Sequence, residues 1–234
     1  MVFAGIVAGG SGTRMKNADK PKQFLELGKI PIIIRTVQAF LECDKIDKIY
    51  IGIKSDWHDY TVTLLNIYRI DTKKVKVIDG GKSRNETVMN IVDNITKEYG
   101  CKNGDIILTH DAVRPFVSRK IIEDNIESAL KYKACGTYIP AVDTIIKSEN
   151  GRTADETLKR SELYQAQTPQ SFDIGALCGC RDKLTSEELN ALTDTCGIFT
   201  ACGIEIQIVQ GEPKNFKITT DYDLKIAELL VKAK

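Results

Sequence analysis

Val2-Phe3-Ala4-Gly5-Ile6-Val7 runs into Ala8-Gly9-Gly10-Ser11-Gly12-Thr13-Arg14-Met15, and this stretch decides the fold. An apolar run of strand length stops at a glycine-rich turn, which is how a strand in an α/β sheet hands over to a ligand-facing loop. Ile33, Ile34, Val37, Phe40 and Leu41 follow at i, i+3/i+4, i+7 spacing, the mark of a helix with one buried face. The alternation then repeats: strand at 48–53, helix at 56–68, strand at 75–78, helix after Ser83, strand at 106–109, helix after Ser118, strand at 137–142. Short apolar runs between helical segments predict an α/β chain with a mostly parallel sheet covered by helices on both faces.

Two helix starts carry their own signals. Ser83-x-x-Glu86 has capping-box spacing ahead of Val88, Ile91, Val92 and Ile95. Ser118 stands before Ile121, Ile122, Ile126, Ala129 and Leu130, an inward stripe. From 143 to 164 the pattern changes to short polar runs around Asn150-Gly151, a strong hairpin signal. An isolated ribbon is marginal in water, so this arm is expected to protrude and to pack on a second copy of the chain. Helical segments at 173–180, 186–192 and 194–200 and a strand at 205–209 come next. The last helix begins at Thr220 and Asp221, with Ile226, Leu229, Leu230 and Ala233 expected to face inward. With no repeat or linker, residues 1–234 read as one domain.

Composition narrows the function. Charged residues are 28% and hydrophobic residues 42%, which argues against disorder and fibres. Lys and Arg total 33 against 32 Asp and Glu, a net charge of +1, so no global field favours a nucleic acid. Apolar runs are too short to cross a bilayer and the N-terminus lacks a signal-peptide pattern, so a soluble cytoplasmic protein is expected. The seven cysteines are scattered and odd in number, which fits reduced thiols. Cys178 and Cys180 are too close in sequence for a zinc knuckle.

Phosphate binding is the natural reading of the first glycine turn, with Arg14 and Lys22 adding charge. Met15 stands where the dinucleotide fingerprint has its third glycine, and no Gly-Lys-Ser/Thr completes a Walker loop. A second cradle, Gly80-Gly81-Lys82-Ser83-Arg84-Asn85-Glu86-Thr87, again joins a strand to a helix N-terminus, where orphan amides favour an anion or a base edge. Taken alone, the first turn also reads as a tight turn whose basic residues face water, and the second as an ordinary capped helix start. Asp111 follows a central strand, where one carboxylate suits Mg²⁺ held against phosphates, and an Asx turn is the competing reading. Arg114 suits a second anion or a surface ion pair, and His110 reads as a structural imidazole. Lys217 precedes the last helix and either enters the cleft or faces water.

Five ordered motifs resemble the cytidylyltransferases of the IspD/TarI family: Ala8-Gly9-Gly10-x-Gly12-Thr13-Arg14-Met15, Pro21-Lys22-Gln23-Phe24, His110-Asp111-Ala112-Val113-Arg114-Pro115, Gln167-Thr168-Pro169-Gln170 and Lys217-Ile218-Thr219-Thr220. The resemblance covers essentially the whole chain. Residues 22–28, 113–116, 163–167 and 223–227 look more like the members that use D-ribitol 5-phosphate than those that use 2-C-methyl-D-erythritol 4-phosphate.

The resemblance implies a Rossmann-like sheet of the nucleotide-diphospho-sugar transferase type, a homodimer with exchanged arms, and CTP with Mg²⁺. By position it implies that Val7, Ala8, Gly9 and Gly10, with Gly81, Lys82, Ser83, Arg84, Asn85, Glu86, Thr87 and Asp111, hold the nucleotide, and that Asp111 holds the metal. Arg14 and Lys22 would stabilise charge on the α-phosphate and pyrophosphate. Arg160 and Thr144 would reach the polyol phosphate of the neighbouring subunit, Lys217 would orient it, and Arg114 and Thr168 would line its site. Five residues lie between Met15 and Pro21, so Lys20 and Lys22 compete for the phosphate role. A non-catalytic nucleotide sensor and a dinucleotide oxidoreductase are the readings from other classes.

Overall fold

The computed structural model describes residues 1–10, 20–100, 102 and 104–233, the side chain at 190 excepted. β1 (Val2–Val7) is followed by the short β2 (Glu26–Leu27) and β3 (Ile30–Pro31), then α1 (Ile32–Leu41), β4 (Lys48–Ile53), α2 (His58–Ile67) and β5 (Val75–Asp79). After α3 (Arg84–Tyr99) come β6 (Ile106–Asp111), α4 (Arg119–Tyr132), β7 (Ala134–Pro140), β8 (Ile146–Lys147) and β9 (Glu156–Thr157). The chain continues through β10 (Tyr164–Asp173), α5 (Ile174–Arg181), α6 (Ser186–Ala191), α7 (Cys196–Ala201), β11 (Gln207–Gln210) and α8 (Asp221–Lys232).

Seven strands form one sheet in the order β11-β7-β10-β6-β1-β4-β5. β1 pairs in parallel with β4 and β6, and β4 with β5, so the carboxyl ends of four strands share one edge. Period-two alternation sends Ala4, Ile6, Ile49, Ile51 and Leu108 to one face, under α1, α2 and α4. Phe3, Tyr50 and Ile107 go to the other, under α3, α5 and α7. The mostly parallel sheet with helices on both faces is therefore as the alternation predicts.

β10 is the main departure. It runs antiparallel to both β6 and β7 in the middle of the sheet, although no strand signal marks it in the sequence. Its residues Tyr164-Gln-Ala-Gln-Thr-Pro-Gln-Ser-Phe-Asp173 are polar and carry a proline, the composition of a loop. The polar groups are paired by neighbours instead: the hydroxyls of Thr109 and Thr137 donate to the carbonyls of Gln170 and Pro169, and that of Ser171 to Asn125 Oδ1. The register shifts between Ala166 and Gln170, around the cis Thr168–Pro169 peptide.

Other expectations shift for local reasons. β7 starts at buried Ala134 rather than at 137. Only half of the capping box forms: Ser83 Oγ accepts the Glu86 N–H, whereas Glu86 accepts the Lys82 N–H. Leu130, Leu229 and Leu230 are exposed, as is Ala233. Helix α8 buries Ala227 against Leu27, Ile32 and Ile218, a contact too narrow to cover its other apolar residues. Among the described residues no helix is long and apolar enough to cross a membrane.

The arm is a ribbon of β8 and β9, with the four strand residues exposed. Asn150-Gly151 lies within the eight-residue loop 148–155 and is not itself a two-residue turn. Asn150 Oδ1 accepts the Arg152 and Thr153 N–H groups, so the side chain organises the loop locally.

Candidate active site

The cleft lies where the shared carboxyl edge of β1, β4, β5 and β6 opens. Backbone pairing continues past the strand ends: the N–H groups of Ala8, Gly80 and Ala112 donate to the carbonyls of Gly52, Ile53 and Val7. The turns that form the floor are thus fixed by the sheet ladder itself. Thr36 of α1 donates to the Ala112 carbonyl at 2.8 Å and clamps the turn after β6.

The cleft has a volume of about 380 Å³. Val7, Ala8, Gly9 and Gly10 line one side, Gly81, Lys82, Ser83, Arg84 and Thr87 another, and Asp111 and Lys217 the end beyond β6. Gln23 braces the first glycine turn, its Nε2 donating to the Ala8 and Gly10 carbonyls at 2.7 and 3.4 Å. In the second turn the Gly81 N–H donates to Thr87 Oγ1 at 2.9 Å, and a Cβ at Gly81 would run into the Glu86 side chain. That position admits glycine alone without displacing the helix start.

Charge is the chief property of the cleft. Lys22, Lys54, Lys82, Arg84 and Lys217 line it, and among the described lining residues Asp111 is the one carboxylate. Asp111 Oδ1 is 3.1 Å from Arg84 Nε, and Oδ2 is 3.3 Å from Arg114 Nε and 3.0 Å from Lys217 Nζ. Burial raises the carboxyl pKa, but Arg84, Lys217 and Arg114 outweigh it and hold the group well below the usual carboxylate range. Three cations on one carboxylate leave net positive charge, which suits a polyanion. His110 is wholly buried, and desolvation pushes its pKa down to about 3, so it is neutral at working pH.

Other site residues of the sequence reading lie elsewhere. Arg14 lies outside the described residues. Asn85 and Glu86 turn away from the cleft, Asn85 donating to the Leu192 carbonyl and Glu86 accepting the Lys82 N–H. Arg114 and Thr168 stand behind Asp111, both buried, and do not line the cleft. Thr144 is exposed on the arm, and Arg160, in the single turn Arg160–Glu162, donates to the Val142 carbonyl at 3.1 Å. Of the two competing lysines, Lys22 lines the cleft, while Lys20 is exposed and donates to the Tyr60 hydroxyl at 3.0 Å. Sequence reasoning missed Lys54 and Thr219 in the lining, and Thr195, which accepts from Arg84 Nη1 at 2.9 Å. Neither Lys54 nor Thr195 belongs to a local motif; only the strand order brings them in.

Asp111 is also the residue to judge for magnesium. Among the described residues no group of three or more His, Cys, Asp and Glu forms a metal shell. Mg²⁺ needs only one or two carboxylates when phosphates and water complete its octahedron. Asp111 lines the cleft and would supply one such carboxylate, its oxygens being held in this structure by Arg84, Arg114 and Lys217.

A family model described as IspD, 2-C-methyl-D-erythritol 4-phosphate cytidylyltransferase, matches residues 2–233. Solved structures share the architecture. The 2-C-methyl-D-erythritol 4-phosphate cytidylyltransferase of Francisella tularensis is 30% identical, covering 97% of this chain and 98% of its own, with a TM-score of 0.81. The 4-diphosphocytidyl-2C-methyl-D-erythritol synthase of Anaerococcus prevotii is 25% identical over 99% of this chain and 98% of its own, also at 0.81. The 2-C-methyl-D-erythritol 4-phosphate cytidylyltransferase of Thermus thermophilus, 24% identical over 99% of this chain and 100% of its own, matches in fold with a TM-score of 0.74.

Proposed function

This chain belongs to the 2-C-methyl-D-erythritol 4-phosphate cytidylyltransferase (IspD) family and is a CTP-dependent nucleotidyltransferase, and we propose that it transfers CMP from CTP to D-ribitol 5-phosphate, giving CDP-ribitol and pyrophosphate for a polyol-phosphate wall or capsule polymer. The observation that carries the transfer is the cationic cleft, two glycine turns facing each other with Asp111 and Lys217 at one end. The ribitol reading rests on the residue choices at 22–28, 113–116, 163–167 and 223–227. The second reading, 2-C-methyl-D-erythritol 4-phosphate as acceptor, is favoured by the relatives that carry that name.

The reaction is one in-line displacement. A phosphate oxygen of the polyol phosphate forms a bond to the α-phosphorus of CTP, and the bond to the bridging oxygen of pyrophosphate breaks. No protein nucleophile is needed, so positioning and charge neutralisation supply the rate. Residues 8–10, 81–84 and Thr87, which line the cleft, hold the nucleotide, and the α3 N-terminus favours its phosphates. Lys22, with Arg14, neutralises the α-phosphate and leaving pyrophosphate, and Lys217 orients the attacking phosphate. Asp111 would hold Mg²⁺ together with the triphosphate, and the ion would supply Lewis-acid charge neutralisation. Arg160 and Thr144, on the arm, complete the acceptor site of a second protomer in a homodimer.

Pyrophosphate release with CTP, Mg²⁺ and each acceptor in turn tests both readings. Turnover with D-ribitol 5-phosphate alone is expected. Turnover only with methylerythritol phosphate selects the second reading, and CTP binding without turnover on either would leave a nucleotide sensor.

A further inference from the structure

Behind Asp111 the hydrogen bonds form a closed circuit whose protons have one consistent assignment. The His110 imidazole, wholly buried, places Nε2 3.1 Å from the Arg114 carbonyl and Nδ1 3.0 Å from the Thr168 hydroxyl. A carbonyl only accepts, so Nε2 carries the proton. Nδ1 of the neutral ring is then the acceptor, and Thr168 donates its hydroxyl proton to it. That leaves Thr168 Oγ1 to accept the Asp111 N–H at 3.1 Å.

The circuit closes through Arg114. Its Nε donates to Asp111 Oδ2 and its Nη1 to the Asn215 carbonyl at 2.9 Å. Asn215 Nδ2 donates to the Thr168 carbonyl at 2.8 Å and to Gln167 Oε1 at 3.1 Å. Lys217, two residues on, reaches Asp111 Oδ2. Three segments distant in sequence, the end of β6, the middle of β10 and the stretch before α8, are thereby tied together. Phe40 packs against the imidazole with ring centroids 4.9 Å apart, which fixes the ring within the circuit.

From this geometry we infer that His110 is a positioning residue for the transfer: by holding the Arg114 carbonyl and, through Thr168, the Asp111 amide, it sets the carboxylate and guanidinium against which Lys217 and the acceptor phosphate are aligned. The inference rests on the proposed transfer and names how its acceptor end is built. His110 does not line the cleft and touches no substrate. A space-filling role would use neither nitrogen, whereas here both are committed to groups that flank the charged cluster.

Two near-isosteric substitutions separate the two bonds. His110→Gln keeps a donor near the Nε2 position and loses the acceptor for Thr168; His110→Asn keeps an acceptor near Nδ1 and loses the donor to Arg114. Each is expected to lower kcat/KM for the acceptor by about tenfold, the weight of one buried hydrogen bond, with KM for CTP within about twofold. Thr168→Val breaks the same link as His110→Gln, so the double variant should be no worse than the worse single variant. Thermal melting identifies folded material. Wild-type kinetics in folded His110→Gln and His110→Asn, additive losses in the double variant, or an equal loss in CTP binding would overturn the inference.

Amide exchange of the peptide containing Asp111 supplies a readout that needs no acceptor. It should quicken in His110→Gln and in Thr168→Val, and wild-type protection in both would also overturn the inference. Inactivity of the wild-type protein with D-ribitol 5-phosphate and with methylerythritol phosphate breaks the proposed transfer instead, and exchange then decides the role of His110.

Discussion

The cleft end and the arm carry charge in opposite ways. At Asp111 three cations surround one carboxylate that is almost fully out of water. On the arm, Lys159 pairs with Glu162 and Lys147 with Glu149, all well exposed. Exposed pairs are screened and contribute little to stability. Buried ones act at low dielectric, where each change of partner is felt. The cleft is therefore preorganised by its own charges, whereas the four strand residues of the arm are exposed and its proposed role is against a second protomer.

Asp111→Ala attacks the buried side of that contrast and should have the largest effect. Removing the carboxylate leaves the buried Arg114 and the half-buried Arg84 without their shared anion, a loss of about 3–5 kcal/mol in denaturant unfolding. An unchanged midpoint would mean that the cations relax into water and that the cluster is not a structural unit. Lys217→Ala and Lys22→Ala come next. They leave the fold intact and lower kcat by roughly 10²–10³, as for other preorganised charges. Near wild-type turnover in both would remove the proposed mechanism.

Arg160→Ala tests the arm. Its melting temperature should match the wild type while acceptor turnover falls by about tenfold or more. Mixing it with Lys217→Ala separates the two regions further, because a mixed dimer with exchanged arms carries one site in which both residues are intact. Recovery of activity on mixing is expected; no recovery, with mixed dimers present by native mass spectrometry, would place Arg160 in its own subunit's site or outside catalysis.

The smallest effect is that of pH. The Asp111 pKa is lowered on folding, so its contribution is present above the ordinary carboxylate range and is lost only as pH falls through that range toward the depressed value. His110, pushed down to about 3, stays neutral from mildly acidic to neutral pH. Neither should titrate there. The acidic limb of kcat/KM should then report the second ionisation of the acceptor phosphate, at about pH 6. A limb that shifts in His110→Asn would contradict this.

Much of the fold was legible because the parallel half follows the period rule. β1, β4 and β6 have apolar residues on both faces, and α1, α3 and α4 carry a one-sided stripe. β10 was not, because its partners are side chains of Thr109, Thr137 and Asn125, remote in sequence. Leu229 and Leu230 of α8 stay exposed because a stripe shows that a helix can bury a face and does not show how wide its neighbour is. At the site the glycine turns and Asp111 stood out as local motifs. Lys54 and Thr195 did not, since no spacing signals them.

Local chemistry alone determined the alternation of strand and helix, the glycine turns at strand ends and the helix cap at Ser83, because each depends on residues a few positions apart. The tertiary structure decided which charges meet. Arg84, Asp111, Thr168, Asn215 and Lys217 come together only after β10 inserts between β6 and β7 and the segment before α8 crosses to Val113. Their energies depend on distance and burial, and both are properties of the packed sheet.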